Sequence, residues 1–338
     1  MSFLNKCSTI IRRANKDMFY IHLENGIIFD YFDSDNNLIS SMNLTKNKLI
    51  DFTKAYFTLD KYDNIYGVYN SNNSLIMVDI LNNSSEILEK EIISYNNKKF
   101  NISFPYIKKD HDSLHIIYYV YNNDSTNTSA IFHHYKHNGI WTENKIDFVN
   151  HIVMDNFIVI WSQQSPIIFY FNLVDGCEEL FLSRFNCSTL SWSNPIQVTN
   201  SNKNKIYLSV LKDNMNFYHV SYCENIGNGY AVKYLNGYLN ESNMNVNIST
   251  YITGPSTCMY PSLIKENTRL YLMWVNYNRL VTCSSDDLGK TWSDHETDDF
   301  SIEEDFVRAR FFSNYKNDMP YNVSSIFTTS NDVGILGF

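Results

Sequence analysis

Ser285-Asp286-Asp287-Leu288-Gly289-Lys290-Thr291-Trp292 decides how this chain is read. The residues before it, Arg279 to Ser284, alternate as a strand does. Ser and Asp side chains bond nearby backbone amides, so they close a tight turn from local groups alone. Gly289 supplies a backbone conformation that a Cβ resists. Trp292 can then lie across neighbouring strands and cover a large apolar area. Asp286 and Asp287 also invite a cation, but adjacent strand residues diverge and no third ligand stands nearby. The stretch reads as a hairpin turn.

The same unit recurs along the chain. Tyr260-Pro261-Ser262-Leu263-Ile264-Lys265-Glu266-Asn267 matches Tyr207-Leu208-Ser209-Val210-Leu211-Lys212-Asp213-Asn214, and an apolar strand follows each. Phe104-Pro105-Tyr106-Ile107-Lys108-Lys109-Asp110 leads into Leu114 to Val120 in the same way. Leu190-Ser191-Trp192-Ser193 and Gly139-Ile140-Trp141-Thr142 read as eroded copies of the hairpin turn, the first with Cys187 in place of Asp287. Strongly apolar second strands are expected near Tyr20, Tyr66, Ile116, Val159, Tyr218, Leu272 and Ile326. Their spacing of roughly 50 residues is that of one four-stranded propeller blade.

The pattern at Ser285, Asp287, Gly289, Thr291 and Trp292 resembles the Asp box (BNR repeat) of the sialidase-like β-propeller superfamily. The resemblance and the repeat together imply an all-β, seven-bladed propeller of four-stranded antiparallel blades, with six blades as the alternative, over residues 1–338 as one domain. Val333 to Phe338 would supply a third strand of the last blade, and a strand within Phe3 to Arg13 would close the ring, which removes exposed edges.

Composition agrees with strands: 25 Tyr and 22 Phe stand against 11 Gly and 6 Pro. A net charge of −9 speaks against a nucleic-acid partner. No apolar run is long enough to span a bilayer, and Met1 to Cys7 lacks the core of a secretory signal, so a cytoplasmic protein is expected. The six cysteines show no paired spacing and read as thiols rather than disulfides or metal ligands. Asp33-Ser34-Asp35-Asn36-Asn37 mimics the opening of a calcium loop, but Leu44 stands where the loop needs Glu. His133 and His134 point to opposite faces of a strand and cannot chelate together. No metal and no cofactor is expected.

The family resemblance implies where ligands bind: at the blade ends opposite the Asp boxes. Two connections, Ser162 to Glu179 and Tyr121 to Thr128, read as the long loops there and make Glu178 and Glu179 candidates. Sialidases of this superfamily clamp a carboxylate with three arginines, a task suited to the planar guanidinium fork. The family's N-terminal R-[IL]-P is absent; Arg12-Arg13-Ala14-Asn15 stands in its place. Arg308 and Arg310 share one face of a strand and join Arg12 as candidates, although ordinary ion pairs would also account for them. The reading is a non-catalytic binding module for a glycan or a protein, with aromatic rings to stack on sugars. The alternative is a glycoside hydrolase of sialidase type.

Overall fold

Short aspartate-led turns punctuate the chain. Asp33 Oδ1 accepts the N–H groups of Asp35 and Asn37, both at 2.9 Å. Asp60 Oδ1 does the same for Tyr62 at 2.7 Å and Asn64 at 2.9 Å, and Asp213 Oδ1 for Met215 and Phe217 at 2.9 Å. The fourth residue of each turn is left-handed: Asn36 (φ 64°), Asp63 (φ 66°) and Asn216 (φ 61°). Asn and Asp tolerate that conformation better than other side chains. The Asp33 carboxylate is thus spent on its own backbone, and the calcium-like motif is a turn.

The computed structural model describes residues 7–45, 51–82, 86–110, 112–150, 157–240 and 242–329. Packing divides the chain into two compact units, Met1–Ile152 with Ala309–Met319, and Val153–Arg308 with Pro320–Phe338. The first unit holds three antiparallel blades in chain order. They are β1 (Cys7–Arg12), β2 (Met18–Leu23), β3 (Ile27–Phe32) and β4 (Leu38–Asn43); then β5 (Ala55–Leu59), β6 (Ile65–Asn70), β7 (Ser74–Ile80) and β8 (Ile87–Ser94). The third is β9 (Phe100–Asp110), β10 (Ser113–Asn122), β11 (Ser125–His137) and β12 (Ile140–Val149).

The second unit also holds three. In its first blade, β13 (Ile158–Ser162), β14 (Ser165–Val174) and β15 (Cys177–Asn186) are followed by two short outer strands, β16 (Ser191–Trp192) and β17 (Ile196–Gln197), which both pair with β15. The next is β18 (Lys205–Lys212), β19 (Phe217–Asn225), β20 (Tyr230–Leu239) and β21 (Met244–Tyr251). The last is β22 (Met259–Glu266), β23 (Arg269–Asn276), β24 (Arg279–Ser285) and β25 (Glu296–Thr297).

Six blades therefore form among the described residues, the smaller of the two expected counts. The apolar stretch near Ile326 does not build a seventh. After β25, strand β26 (Phe306–Ser313), of which Ala309 onward belongs to the first unit, runs along the free side of β1. Asn314 N–H bonds Arg12 O at 3.0 Å just beyond it. In the second unit, β27 (Tyr321–Val323) lies along β22. Late-chain residues thus occupy edges of first strands, where hydrogen-bonding groups would otherwise be unpaired. The expected partner strand, Val333 to Phe338, and Phe3 to Lys6 lie outside the described residues. Cys7–Arg12 is the first strand of a complete blade, not the fourth strand of an incomplete one.

First strands are mostly buried and fourth strands exposed, as β18 (one end to the other largely buried) and β4 (largely exposed) illustrate. The first unit's core joins its first two blades through Ile11, Phe19, Phe29, Phe57, Ile65 and Val78. Gly67 is required there, because a Cβ would stand 2.2 Å from the Phe57 ring. The second unit packs Phe169, Leu182, Val210, Tyr218 and Val220 between its first two blades.

The stretch Ser285 to Trp292 forms the turn from β24 to β25. Ser285 Oγ donates to Asp287 Oδ1 (2.8 Å) and accepts Gly289 N–H (2.8 Å), while Asp287 accepts the N–H and hydroxyl of Thr291 (2.9 and 2.7 Å). These bonds hold the Asp287 carboxyl down at about 2. Gly289 has φ 84°, and a Cβ on it would meet the Tyr234 ring at 2.3 Å. Trp292 lies edge-on to Tyr234 at 5.1 Å and is half-buried, less than expected. The copy one hundred residues earlier repeats the closing bonds: Ser193 N to Arg184 O matches Ser293 N to Ser284 O, both 2.8 Å. The Gly139–Trp141 copy is different. It is a two-residue hairpin at Asn138 and Gly139, both with positive φ.

Candidate functional site

Of the residues singled out in the sequence, Arg12 and Arg310 stand on the paired strands β1 and β26 of the first unit, but their guanidinium groups engage different partners. Arg12, in the first unit, has Nη1 3.1 Å from both oxygens of Asp318, which also accepts the Ser313 hydroxyl at 2.6 Å. Arg310 lies 4.8 Å over the Tyr56 ring, with Nη1 3.4 Å from Ala55 O. In the second unit, Arg308 lies 4.5 Å over Tyr260. Arg13 is buried against Asp63 O, and Arg269 grips Asp286 through two bonds of 2.6 and 2.9 Å. Arg279 donates to Ser301 O. Arg184 keeps two buried guanidinium nitrogens, Nε and Nη2, without a hydrogen-bond partner among the described residues.

Glu178 and Glu179 are not on a loop. The span Ser162 to Glu179 is mostly strand: β14 runs through it and a tight Asp175-Gly176 turn leads into β15. A continuous apolar run from Ile167 to Phe171 is what a strand buried on both faces looks like. Tyr121 to Thr128 is likewise a turn between β10 and β11. Glu179 is fully buried, 2.8 Å from the ammonium of Lys205, which also lies 3.4 Å from Glu224. Thr199, Ser201 and Asn202 donate to Glu179; Ser201 and Tyr251 donate to Glu224. Burial pushes the Glu179 carboxyl up, but the bonds from Lys205 and Thr199 outweigh it and hold it low. All four carboxylate oxygens of Glu179 and Glu224 are engaged, and both carboxylates and the Lys205 ammonium are buried, so this cluster ties residues 199–205 to β15.

Two open grooves lie elsewhere, in the first unit. A groove of about 610 Å³ runs between its second and third blades, within the roughly 300–1,000 Å³ of ordinary small-ligand sites. Asp79 on β7 and Lys90 and Glu91 on β8 form one wall; Lys109, Asp112, Lys136 and Trp141 form the other. Trp141 is 40% exposed, steadied by Lys136 over its ring at 5.6 Å and by His134 at 6.4 Å. Asp79 Oδ2 pairs with Lys109 at 3.5 Å, and Lys109 also sits 4.5 Å over Tyr66. Asp79 Oδ1 is buried with no hydrogen-bond partner among the described residues. Burial raises this carboxyl, against the pull of Lys109.

A second groove of about 430 Å³ lies along the turns β5–β6 and β9–β10, lined by Asp60, Lys61, Tyr62, Lys108, Lys109 and Asp110 among others. Burial lowers the Lys108 ammonium to about 8. Both grooves sit where first-to-second and third-to-fourth turns converge, the blade end opposite to the one expected. Trp141 and the Lys108-Lys109-Asp110 run were visible in the sequence, but as repeat landmarks. Nothing in their spacing announced that Asp79 would face them.

His133 and His134 do point apart. His133 is buried 3.0 Å from His115, and burial holds His115 down at about 3. His134 turns to Tyr118 and Glu143. No group of three or more potential metal ligands occurs among the described residues, and no helix there is long and apolar enough to cross a membrane.

Six successive four-stranded antiparallel blades define an all-β β-propeller. No protein-family model and no curated protein matches the chain. Among solved structures it is similar to a point mutant of the α-L-arabinofuranosidase arb93a from Fusarium graminearum in complex with an iminosugar inhibitor. The TM-score is 0.52 at 12% identity, over 83% of this chain and 94% of that one. It is also similar to the polysaccharide lyase Uly1, at TM-score 0.53 and 10% identity, over 88% and 81% of the two chains. At such identities the likeness is one of fold.

Proposed function

We propose that this β-propeller is a non-catalytic module that binds a glycan in the groove beneath Trp141. The observation that carries the reading is one groove lined by the 40% exposed Trp141, by Lys90, Lys109 and Lys136, and by the carboxylates of Asp79, Glu91 and Asp112. A ring for stacking, an acceptor for hydroxyl donors and donors for hydroxyl oxygens are what a sugar needs. The Asp-box reading of Ser285 to Trp292 is part of the proposal; the repeated Ser193 and Ser293 bonds support it. Six of the seven arginines engage Asp318, Asp286, backbone carbonyls or tyrosine rings, and the seventh, Arg184, buries the two nitrogens that lack partners among the described residues, which supports the absence of sialidase chemistry. Screening the protein on immobilised glycans, then titrating Trp141→Ala, tests the reading. Binding that Trp141→Ala weakens at least tenfold is expected; binding that Trp141→Ala leaves intact refutes the site.

One observation favours a glycosidase as the second reading. A carboxyl raised by burial, Asp79, lines the same groove as Glu91 and Asp112, and glycosidases work with a protonated acid beside a second carboxylate. Hydrolysis of a bound oligosaccharide, abolished by Asp79→Asn, would decide for it.

A further inference from the structure

The two grooves of the first unit share Lys109, which lines both and stands between them. Each also offers an aromatic ring: Trp141, 40% exposed, in the larger, and Tyr62, 49% exposed with Lys61 5.0 Å over it, in the smaller. The end of β9 that carries Lys109 is therefore a saddle between two half-sites, each with its own aromatic ring and its own carboxylates.

The charges lining these half-sites select among polymers. The larger groove has Lys90, Lys109 and Lys136 against Asp79, Glu91 and Asp112, three of each sign. The smaller has Lys61, Lys108 and Lys109 against Asp60 and Asp110, a surplus of one cation. A polyanion needs a run of cations free of carboxylates; here each lysine has an acid lining the same groove. Closely interleaved donors and acceptors instead suit hydroxyl groups, which do both. Resting on the glycan-binding reading above, we infer that the ligand is an uncharged linear oligosaccharide that crosses the Lys109 saddle, with one sugar ring on Trp141 and another on Tyr62.

Chain length is the readout. Titration calorimetry would compare arabinose, arabinobiose and arabino-oligosaccharides up to six units, the matching cello-oligosaccharide series, and oligogalacturonides as the acidic control. A second stacked ring is worth about tenfold in affinity. The expected result is a gain of about tenfold or more in one neutral series as length increases, followed by a plateau. Tyr62→Ala should shrink that gain to within about threefold, and its melting temperature serves as the check on folding. Neutral sugars that bind without length dependence, or a gain untouched by Tyr62→Ala, overturn the two-site inference and leave the Trp141 site standing. Tighter binding of oligogalacturonides than of any neutral series overturns the ligand class. No binding in any series overturns both this inference and the glycan reading beneath it.

Discussion

Replacing Lys205 with Met is the most informative perturbation of the scaffold. The Lys205 ammonium is fully buried and is the nearest cation to both Glu179 (2.8 Å) and Glu224 (3.4 Å). It also donates to the carbonyls of Glu178 and Lys203 and to the Ser201 hydroxyl, at 2.7 to 2.9 Å. Met fills similar space but leaves two carboxylates in the interior with no ammonium between them. Breaking a buried pair from one side costs roughly 3–5 kcal/mol. For a cooperative unit of this size that corresponds to roughly 6–20 °C of melting temperature. The pH dependence gives a sharper test. In the wild type the Glu179 carboxyl is held low, so its contribution is present above the ordinary carboxylate range near 4 and lost as pH falls through the folded value. Without Lys205, burial is opposed only by the bonds from Thr199 and the backbone N–H groups of Ser201 and Asn202, so the carboxyl moves up. Its contribution at neutral pH then shrinks, so the rise of stability with pH through the carboxylate range flattens. Melts followed by circular dichroism across that range read both effects. A variant that melts within 2 °C of wild type at pH 7, with the same slope, would refute the reasoning.

Other outcomes follow from single positions. Trp292→Ala should cost about 2–3 kcal/mol, below the range for fully buried aromatics, since Trp292 is only half-buried against Tyr234; a denaturant midpoint unchanged from wild type would contradict that. Arg184→Met should be neutral or stabilising by up to about 1 kcal/mol, because it removes buried donors that lack partners, and a loss above 2 kcal/mol in a chemical melt would show the guanidinium to be satisfied after all. A fluorogenic sialoside should not be turned over. Release of its fluorophore, abolished by Arg310→Lys, would restore the sialidase reading against the present placement of Arg310 over Tyr56.

Local chemistry made much of the fold legible. Second strands stand where the recurring strongly apolar stretches put them at Tyr20, Tyr66, Ile116, Tyr218 and Leu272. The turns at Asp33 and at Ser285 to Trp292 close through bonds among residues at most four apart, so their sequence is sufficient to specify them. Val159 fell on a first strand instead, because a continuous apolar run carries no phase and cannot say which strand of a blade it is. Blade number, the lining of first strands by residues 309–313 and 321–323, and the grooves were decided only by tertiary structure. Whether the stretch near Ile326 folds into its own hairpin or lies near existing strands depends on which edges are open, a property of the assembled sheets. The site needs Asp79, Lys109 and Trp141 to line one groove, and each belongs to a different strand. Their sequence separations carry no periodicity, since what brings them together is the packing of one blade on the next.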